Sequence, residues 1–154
     1  MAPSPVSRDS ALQMRRLCAS VNIRRAARVV TRHYDAALRG TGITATQLPL
    51  LAAISAGANT SISALAATLD LERSTVSRDL DTLERLGLVA ATTADDRRAT
   101  ALKLTARGQR KLSAGFRAWQ RAHKALAGAY GQKRLEDLLE RTRALGRSLK
   151  SLAR

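Results

Sequence analysis

The hydrophobic positions change period along the chain, and each change marks an element. Residues 1–9 contain Pro3 and Pro5 and read as a frayed arm. From about Ser10, Leu12, Leu17, Val21, Ala27, Val30, Tyr34 and Leu38 recur at helical spacings, with Arg15, Arg16, Arg24, Arg25, Arg28 and Arg32 between them. This pattern predicts one long amphipathic helix over 10–40 with a basic face, ending near Gly40. Thr44-Ala-Thr-Gln47 has the capping-box form. A start near Thr46 puts Pro49 at the third helical position, where a missing N–H costs no bond. Leu48, Leu50, Leu51 and Ile54 follow, and Gly57 closes the segment. Ser63 is expected to cap a short helix carrying Ala64, Leu65, Ala66 and Leu69. Asp70-Leu-Glu72 makes a turn, and a second helix runs from about Arg73 to Leu86, stopped by Gly87.

Beyond Gly87 the period drops to two. Leu88–Thr93 favours a strand, 94–98 a polar turn, and Thr100–Leu104 a second strand with Leu102 and Leu104 on one face. Thr105 then caps a helix reaching about Ala127, where Gly128 and Gly131 break it. A last helix aligns Leu135, Leu138, Leu139, Leu145, Leu149 and Leu152 on one side. The expected fold is mainly α with a small β wing. It is a single domain over 1–154, with a winged helix-turn-helix lobe over 44–105 whose reading head lies between Ser61 and Thr105, flanked by long terminal helices.

Composition agrees with helices. Hydrophobic residues make up 45% of the 154 residues and aromatics only 3%, so Leu, Ala, Ile and Val must fill the core. Charge adds a partner. A net charge of +15, from 27 Lys plus Arg against 12 Asp plus Glu, suits a polyanion, either nucleic acid or an anionic membrane. A general Arg-rich bias would give the same total. A membrane-surface helical protein would explain the charge but not the hairpin. The single cysteine, Cys18, excludes an intramolecular disulfide and any Cys-rich zinc site, and the two histidines, His33 and His123, have no metal-ligand spacing. No catalytic triad, metal motif or phosphate loop appears, so neither an enzyme nor a cofactor is expected. With no membrane-length apolar run and no signal-peptide core, the chain reads as cytoplasmic.

The segment Ser61–Leu86 carries the functional signal. The second helix would bury Val76, Leu80 and Leu83 and expose Arg73, Ser74, Thr75, Ser77 and Arg78 on its opposite face. Arg can donate two bonds to guanine O6 and N7, and short hydroxyls reach bases or phosphates. Asp79, Asp81 and Glu84 lie further along, where they can point away from DNA. Ser61 and Ser63, at the start of the first helix of the pair, are candidate phosphate contacts. A hairpin placed where a wing would sit, with Arg97 and Arg98 at its tip, can put a guanidinium into a narrow minor groove while Asp96 orients it. Eleven Lys or Arg and no acidic residue lie from Arg97 to Arg134.

Ile62–Arg78 is similar to the helix-turn-helix of the MarR family of bacterial transcription regulators, as is Leu83-Glu-Arg-Leu-Gly-Leu-Val89. Asp95–Thr105 resembles that family's wing, with its Asp-x-Arg signature at Asp96 and Arg98, and Leu104-Thr-Ala-Arg-Gly108 is the most specific part. The likeness extends over nearly the whole chain. It implies a homodimer built from helices 10–40 and 106–154, presenting two recognition helices to successive major grooves about 34 Å apart on a near-palindromic operator. It also implies that Asp96 braces, that Arg98 enters the minor groove, and that Arg97 shares either task or binds phosphate.

Members of that family commonly repress and are released by small phenolic or lipophilic acids. Trp119, Phe116, His33 and Tyr34 are candidate pocket residues, although plain packing is the favoured reading of such aromatic side chains. Some relatives sense hydroperoxides with a lone cysteine in the first helix. Cys18, near Arg15 and Arg16, is a candidate for that role, but the tyrosines that accompany such a cysteine have no clear counterparts. Two alternatives to an effector-released repressor therefore follow: a redox-sensing repressor using Cys18, and a sequence-blind basic DNA-binding protein.

Overall fold

The computed structural model describes residues 5–57, 61–93 and 100–152. Seven helices and one hairpin follow in the order α1 (Arg8–Leu17), α2 (Ala19–Leu38), α3 (Gln47–Ser55), α4 (Ile62–Leu69), α5 (Arg73–Arg85), β1 (Val89–Thr93), β2 (Thr100–Leu104), α6 (Ala106–Tyr130) and α7 (Gln132–Leu152). The winged helix-turn-helix arrangement expected from the sequence is present.

The single long first helix is not. It is interrupted at Cys18, whose ψ of 109° is extended. The cause lies in Asn22, whose side-chain Nδ2 donates to the carbonyls of Arg16 (3.0 Å) and Cys18 (2.9 Å). It thereby satisfies the Arg16 carbonyl that a continuous helix would have paired with a backbone N–H.

At α3 the capping box forms reciprocally. Gln47 N–H donates to Thr44 Oγ1 (3.2 Å) and Thr44 N–H to Gln47 Oε1 (3.1 Å), while the regular helix begins after Thr46. Pro49 is thus the third helical residue, as expected. The cap of α4 is Ser61 rather than Ser63. Ser61 Oγ accepts the Ala64 N–H at 3.2 Å, which leaves Ser63 exposed inside the first turn. Asp70 closes α4 in the left-handed region at φ 54°.

Gly87, at φ 65°, ends α5 as expected. Its N–H bonds to the Glu84 carbonyl and that of Leu88 to the Leu83 carbonyl, the paired closure that a left-handed residue permits. The chain turns directly into β1, which pairs antiparallel with β2 in the register Val89↔Leu104 to Thr93↔Thr100. Leu102 is buried and Leu104 packs against the core, confirming the shared face.

The core gathers Leu38 from α2, Leu50, Leu51 and Ile54 from α3, Leu65 from α4, Val76, Leu80 and Leu83 from α5, Leu88 and Val89 from the turn and strand, and Ala118 from α6. The long α2 and α6 cross beside this lobe. Gly131 alone breaks the C-terminal helical stretch, at φ 97°. Gly128 stays inside α6, one residue after the buried Ala127. The end of α7 returns to the turn of the helix-turn-helix, where Lys150 Nζ meets Asp70 Oδ1 at 2.6 Å. Both partners are exposed, so the pair contributes little to stability.

Thr105 ties the wing to the reading head. Its Oγ1 accepts the Gly108 N–H at 3.0 Å as the N-cap of α6 and donates to the Gly87 carbonyl at 2.7 Å. Thr105→Val keeps the shape and removes both bonds. It should lower unfolding free energy by about 2 kcal/mol, read as a fall in the urea midpoint at unchanged m-value. A change below about 0.5 kcal/mol would mean that neither bond matters to the fold.

Candidate nucleic-acid interface

The candidate reading face lies on α5. Val76 and Leu83 are 0% exposed and Leu80 4%, which locks the helix against the core. The outward row then falls at Ser74, Arg78, Asp81 and Arg85, spaced four, three and four residues apart. Arg73, Ser74 and Arg78 are exposed, as expected from the sequence. Thr75 and Ser77 are half-buried because they flank the fully buried Val76, so they sit at the margins of the face rather than on its crest. The Arg78 guanidinium lies back along its own helix, with Nε donating to the Ser74 carbonyl at 3.2 Å.

Two residues of this face depart from what the sequence suggests or leaves out. Asp81 stands on the outward row between Arg78 and Arg85 instead of pointing away. Arg85, seven residues after Arg78, belongs to the same row and was missed; that spacing was the signal available for it. Arg85 Nε donates to the Asp81 carbonyl at 3.3 Å and its Nη2 to Thr82 Oγ1 at 3.1 Å, which holds it along the helix.

Ser61 and Ser63 are both exposed at the start of α4. The Ser61 hydroxyl already serves the backbone as a cap and retains a hydroxyl hydrogen to donate. The wing residues Asp96, Arg97 and Arg98 lie outside the described residues. Cys18 is half-buried at the break between α1 and α2, and Arg15 and Arg16 beside it in sequence are exposed. Among the described residues no helix is long and apolar enough to cross a membrane.

A second feature adjoins the head. A cavity of about 420 Å³ is walled by Tyr34 and Leu38 of α2, by Ala45, Leu48, Pro49 and Ala52 in and just before α3, and by Leu112, Phe116 and Trp119 of α6. Three of the four aromatic candidates therefore line one space. His33 does not; its Nε2–H donates to the Ala122 carbonyl at 2.9 Å, since a carbonyl only accepts. Trp119 is stacked between Phe116 (centroids 5.6 Å apart) and His123 (5.0 Å). Tyr34 Oη bonds His123 Nδ1 at 3.0 Å. Burial pushes the Tyr34 phenol above its ordinary range, so at neutral pH it keeps the proton it can share with that nitrogen.

The cavity and the helix-turn-helix share α3. Leu48, Pro49 and Ala52 face the space, while Leu50, Leu51 and Ile54 are buried in the core shared with α4 and α5. The segment before α3 is held from both sides. Asp35 Oδ1 accepts the Ala45 N–H at 2.7 Å, and Lys111 Nζ donates to the Thr41 carbonyl.

A sequence model described as the MarR family matches residues 41–99, a span that starts before α3 and includes β1. The structure is also similar to that of the M. tuberculosis transcriptional regulator MosR in complex with DNA. Identity is 32% and the TM-score 0.71, with 85% of this chain and 98% of that one covered. The chain belongs to the MarR family. Two further likenesses agree with this. One is a MarR family transcription regulator, SP03579 (26% identity, TM-score 0.68, 95% and 98% covered). The other is wild-type E. coli MarR in its apo form (25% identity, TM-score 0.65, 80% and 96% covered). No curated protein sequence matches. This MarR-family chain is thus a transcription regulator and not an enzyme.

Proposed function

We propose that this MarR-family chain binds DNA sequence-specifically as a homodimer on a near-palindromic operator, and that it represses until a small aromatic or lipophilic effector releases it. One observation carries the DNA reading. The exposed Arg73, Ser74 and Arg78 stand on a helix whose opposite face is fully buried, so their positions are fixed before DNA arrives. The DNA complex of the 32%-identical MosR supports DNA as the partner, and a recognition helix of a helix-turn-helix suits a major groove. Arg78 and Arg73 read guanine, Ser74, Thr75 and Ser77 reach bases or nearby phosphates, and Ser61 and Ser63 touch the backbone. Asp96 braces the wing and Arg98 samples the minor groove, with Arg97 sharing that work or holding phosphate.

The dimer is supported by apolar side chains that one chain leaves uncovered. Leu138, Leu139, Leu145, Leu149 and Leu152 of α7 are 40–81% exposed, and Leu12, Met14 and Leu17 of α1 are 45–72% exposed. Effector release is supported by the aromatic cavity against α3, since filling it would press on the helix that backs the head.

Selection of bound fragments from random duplex DNA tests this directly. The expected product is a two-fold symmetric consensus with half-sites about one helical turn apart, bound roughly 10³-fold or more tightly than unrelated duplex. Equal affinity for all fragments would make the chain a sequence-blind DNA-binding protein instead. On the selected site, Arg98→Ala should weaken binding by about 1 kcal/mol when the flanks are A·T-rich and by clearly less when they are G·C-rich, in fluorescence anisotropy titrations. Equal loss on both flanks would reduce Arg98 to a phosphate contact.

A further inference from the structure

Of the three acidic residues of α5, one stands where an acid is hardest to place. At about 100° per residue around the helix, Asp79 lies roughly 60° from the buried Val76 and Glu84 roughly 80°, both at the margins of the core face. Asp81 lies roughly 140° away, on the exposed crest with Ser74, Arg78 and Arg85.

The bonds around Asp81 leave its carboxylate unused. An acid four residues before a basic residue is the favoured order for a helical ion pair. Arg85 nevertheless donates through Nε to the Asp81 backbone carbonyl at 3.3 Å and through Nη2 to Thr82 Oγ1 at 3.1 Å. Arg78, three residues earlier, donates through Nε to the Ser74 carbonyl at 3.2 Å. Among the described residues no ion pair or hydrogen bond reaches the Asp81 carboxylate. The crest thus presents a lone acceptor between two sets of donors.

Such a group matches little of what DNA displays. Phosphate repels it. In the major groove, guanine shows the acceptors O6 and N7 and thymine the acceptor O4, so either base would leave a desolvated carboxylate facing an acceptor. Only the amines of cytosine N4 and adenine N6 donate. Adenine sets its N7 acceptor beside the amine, whereas cytosine offers N4 without one. A carboxylate therefore discriminates by rejecting three bases as much as by attracting the fourth.

We infer that Asp81 is a specificity-determining residue that selects cytosine, accepting from its N4 amine beside the guanine taken by Arg78. This rests on the reading of α5 as the helix that enters the major groove. Asp81 follows Arg78 by three residues, about 4.5 Å along the axis at 1.5 Å per residue, a spacing that matches neighbouring base pairs about 3.4 Å apart. Each half-site accordingly carries a cytosine next to that guanine. On any other sequence the same carboxylate lowers affinity.

The test compares the unmodified protein with Asp81→Ala and Arg78→Ala. Binding sites are first selected from random duplex DNA. Affinities are then measured by fluorescence anisotropy on the selected duplex and on one with the cytosine changed to thymine in both half-sites. The unmodified protein should bind the cytosine duplex about tenfold or more tightly. In Asp81→Ala the gap should fall to about twofold or less, while affinity for mixed-sequence duplex is equal or higher because a negative charge is gone. Arg78→Ala should relax the guanine and keep the cytosine preference. Asp81 is exposed and its backbone carbonyl remains to hold Arg85, so Asp81→Ala should unfold thermally like the unmodified protein. A selected site with no cytosine beside the Arg78-dependent guanine overturns the proposal. So does a gap that survives in Asp81→Ala: affinity raised equally on every duplex would make Asp81 a solvated surface charge, and affinity lowered equally would make it a support for Arg85. In each of these cases the reading of α5 stands if Arg78→Ala relaxes its guanine. A consensus unchanged by both variants removes α5 from the groove, and the two readings fall together.

Discussion

Replacing Gly108 with alanine should destabilise the protein by about 3 kcal/mol or more, among the largest effects expected of any single methyl group here. Gly108 lies in the first turn of α6, where that helix passes over the turn leaving α5. A Cβ built there would lie 1.9 Å from the Leu88 carbonyl oxygen, 2.9 Å from its carbon and 3.3 Å from its Cα. These are backbone atoms and cannot rotate aside. The same Leu88 oxygen accepts the Thr105 N–H at 3.0 Å, and Thr105 in turn holds the Gly87 carbonyl. Relief of the clash must therefore part α6 from the end of α5 and loosen both cap and wing. The expected observations are a large drop in the urea midpoint and, under conditions where the variant stays folded, weaker DNA binding. A loss below about 0.5 kcal/mol would show that the approach of α6 to Leu88 is not tight in solution.

The double variant Arg73→Ala/Arg78→Ala should weaken binding to the selected operator by about a hundredfold or more while leaving the fold intact. A side chain bidentate to guanine contributes about 1–3 kcal/mol of discrimination, and two such losses at separate base pairs add approximately. Neither arginine supports the core. Both are exposed, and the internal bond of Arg78 runs only to the Ser74 carbonyl one turn away. Thermal unfolding should accordingly be unchanged within about 0.5 kcal/mol. The informative quantity is the pattern of loss. A fall on the operator with little change on unrelated duplex marks base readers. An equal fall on every duplex, with a shallower dependence on salt, would make both arginines phosphate contacts and shift specificity to Ser74 and the wing.

Much of this molecule is written locally. The α4–turn–α5 pair, the Gly87 stop, the hairpin and the Thr105 cap each depend on residues within a few positions of one another: a left-handed glycine, a hydroxyl facing the third N–H, an alternation of period two. Local chemistry suffices to specify such features, so the sequence alone locates α5, puts Arg73 and Arg78 on its exposed side, and supports the likeness to a known family of regulators. Where two residues offered the same local chemistry, sequence pattern pointed to the wrong one, Ser63. Ser61 and Ser63 are equally good caps, and the choice went to Ser61, the start that puts Leu65 and Ala66 in the core.

Only the tertiary structure settled features that depend on side chains competing for backbone or on elements far apart in the chain. The first helix breaks at Cys18 because the Asn22 amide takes the Arg16 and Cys18 carbonyls, a contest that hydrophobic spacing does not register. Gly128 remains helical because its neighbour Ala127 is buried, and packing can outweigh the roughly 1 kcal/mol cost of a mid-helix glycine. The outward row that includes Asp81 and Arg85 is defined by which face of α5 the core claims. The aromatic cavity joins α2, α3 and α6, three elements far apart in the chain. A sequence records which residues share a helical face. What stands opposite that face is decided by packing between distant segments, and in this protein the space between those segments is where the proposed effector would act.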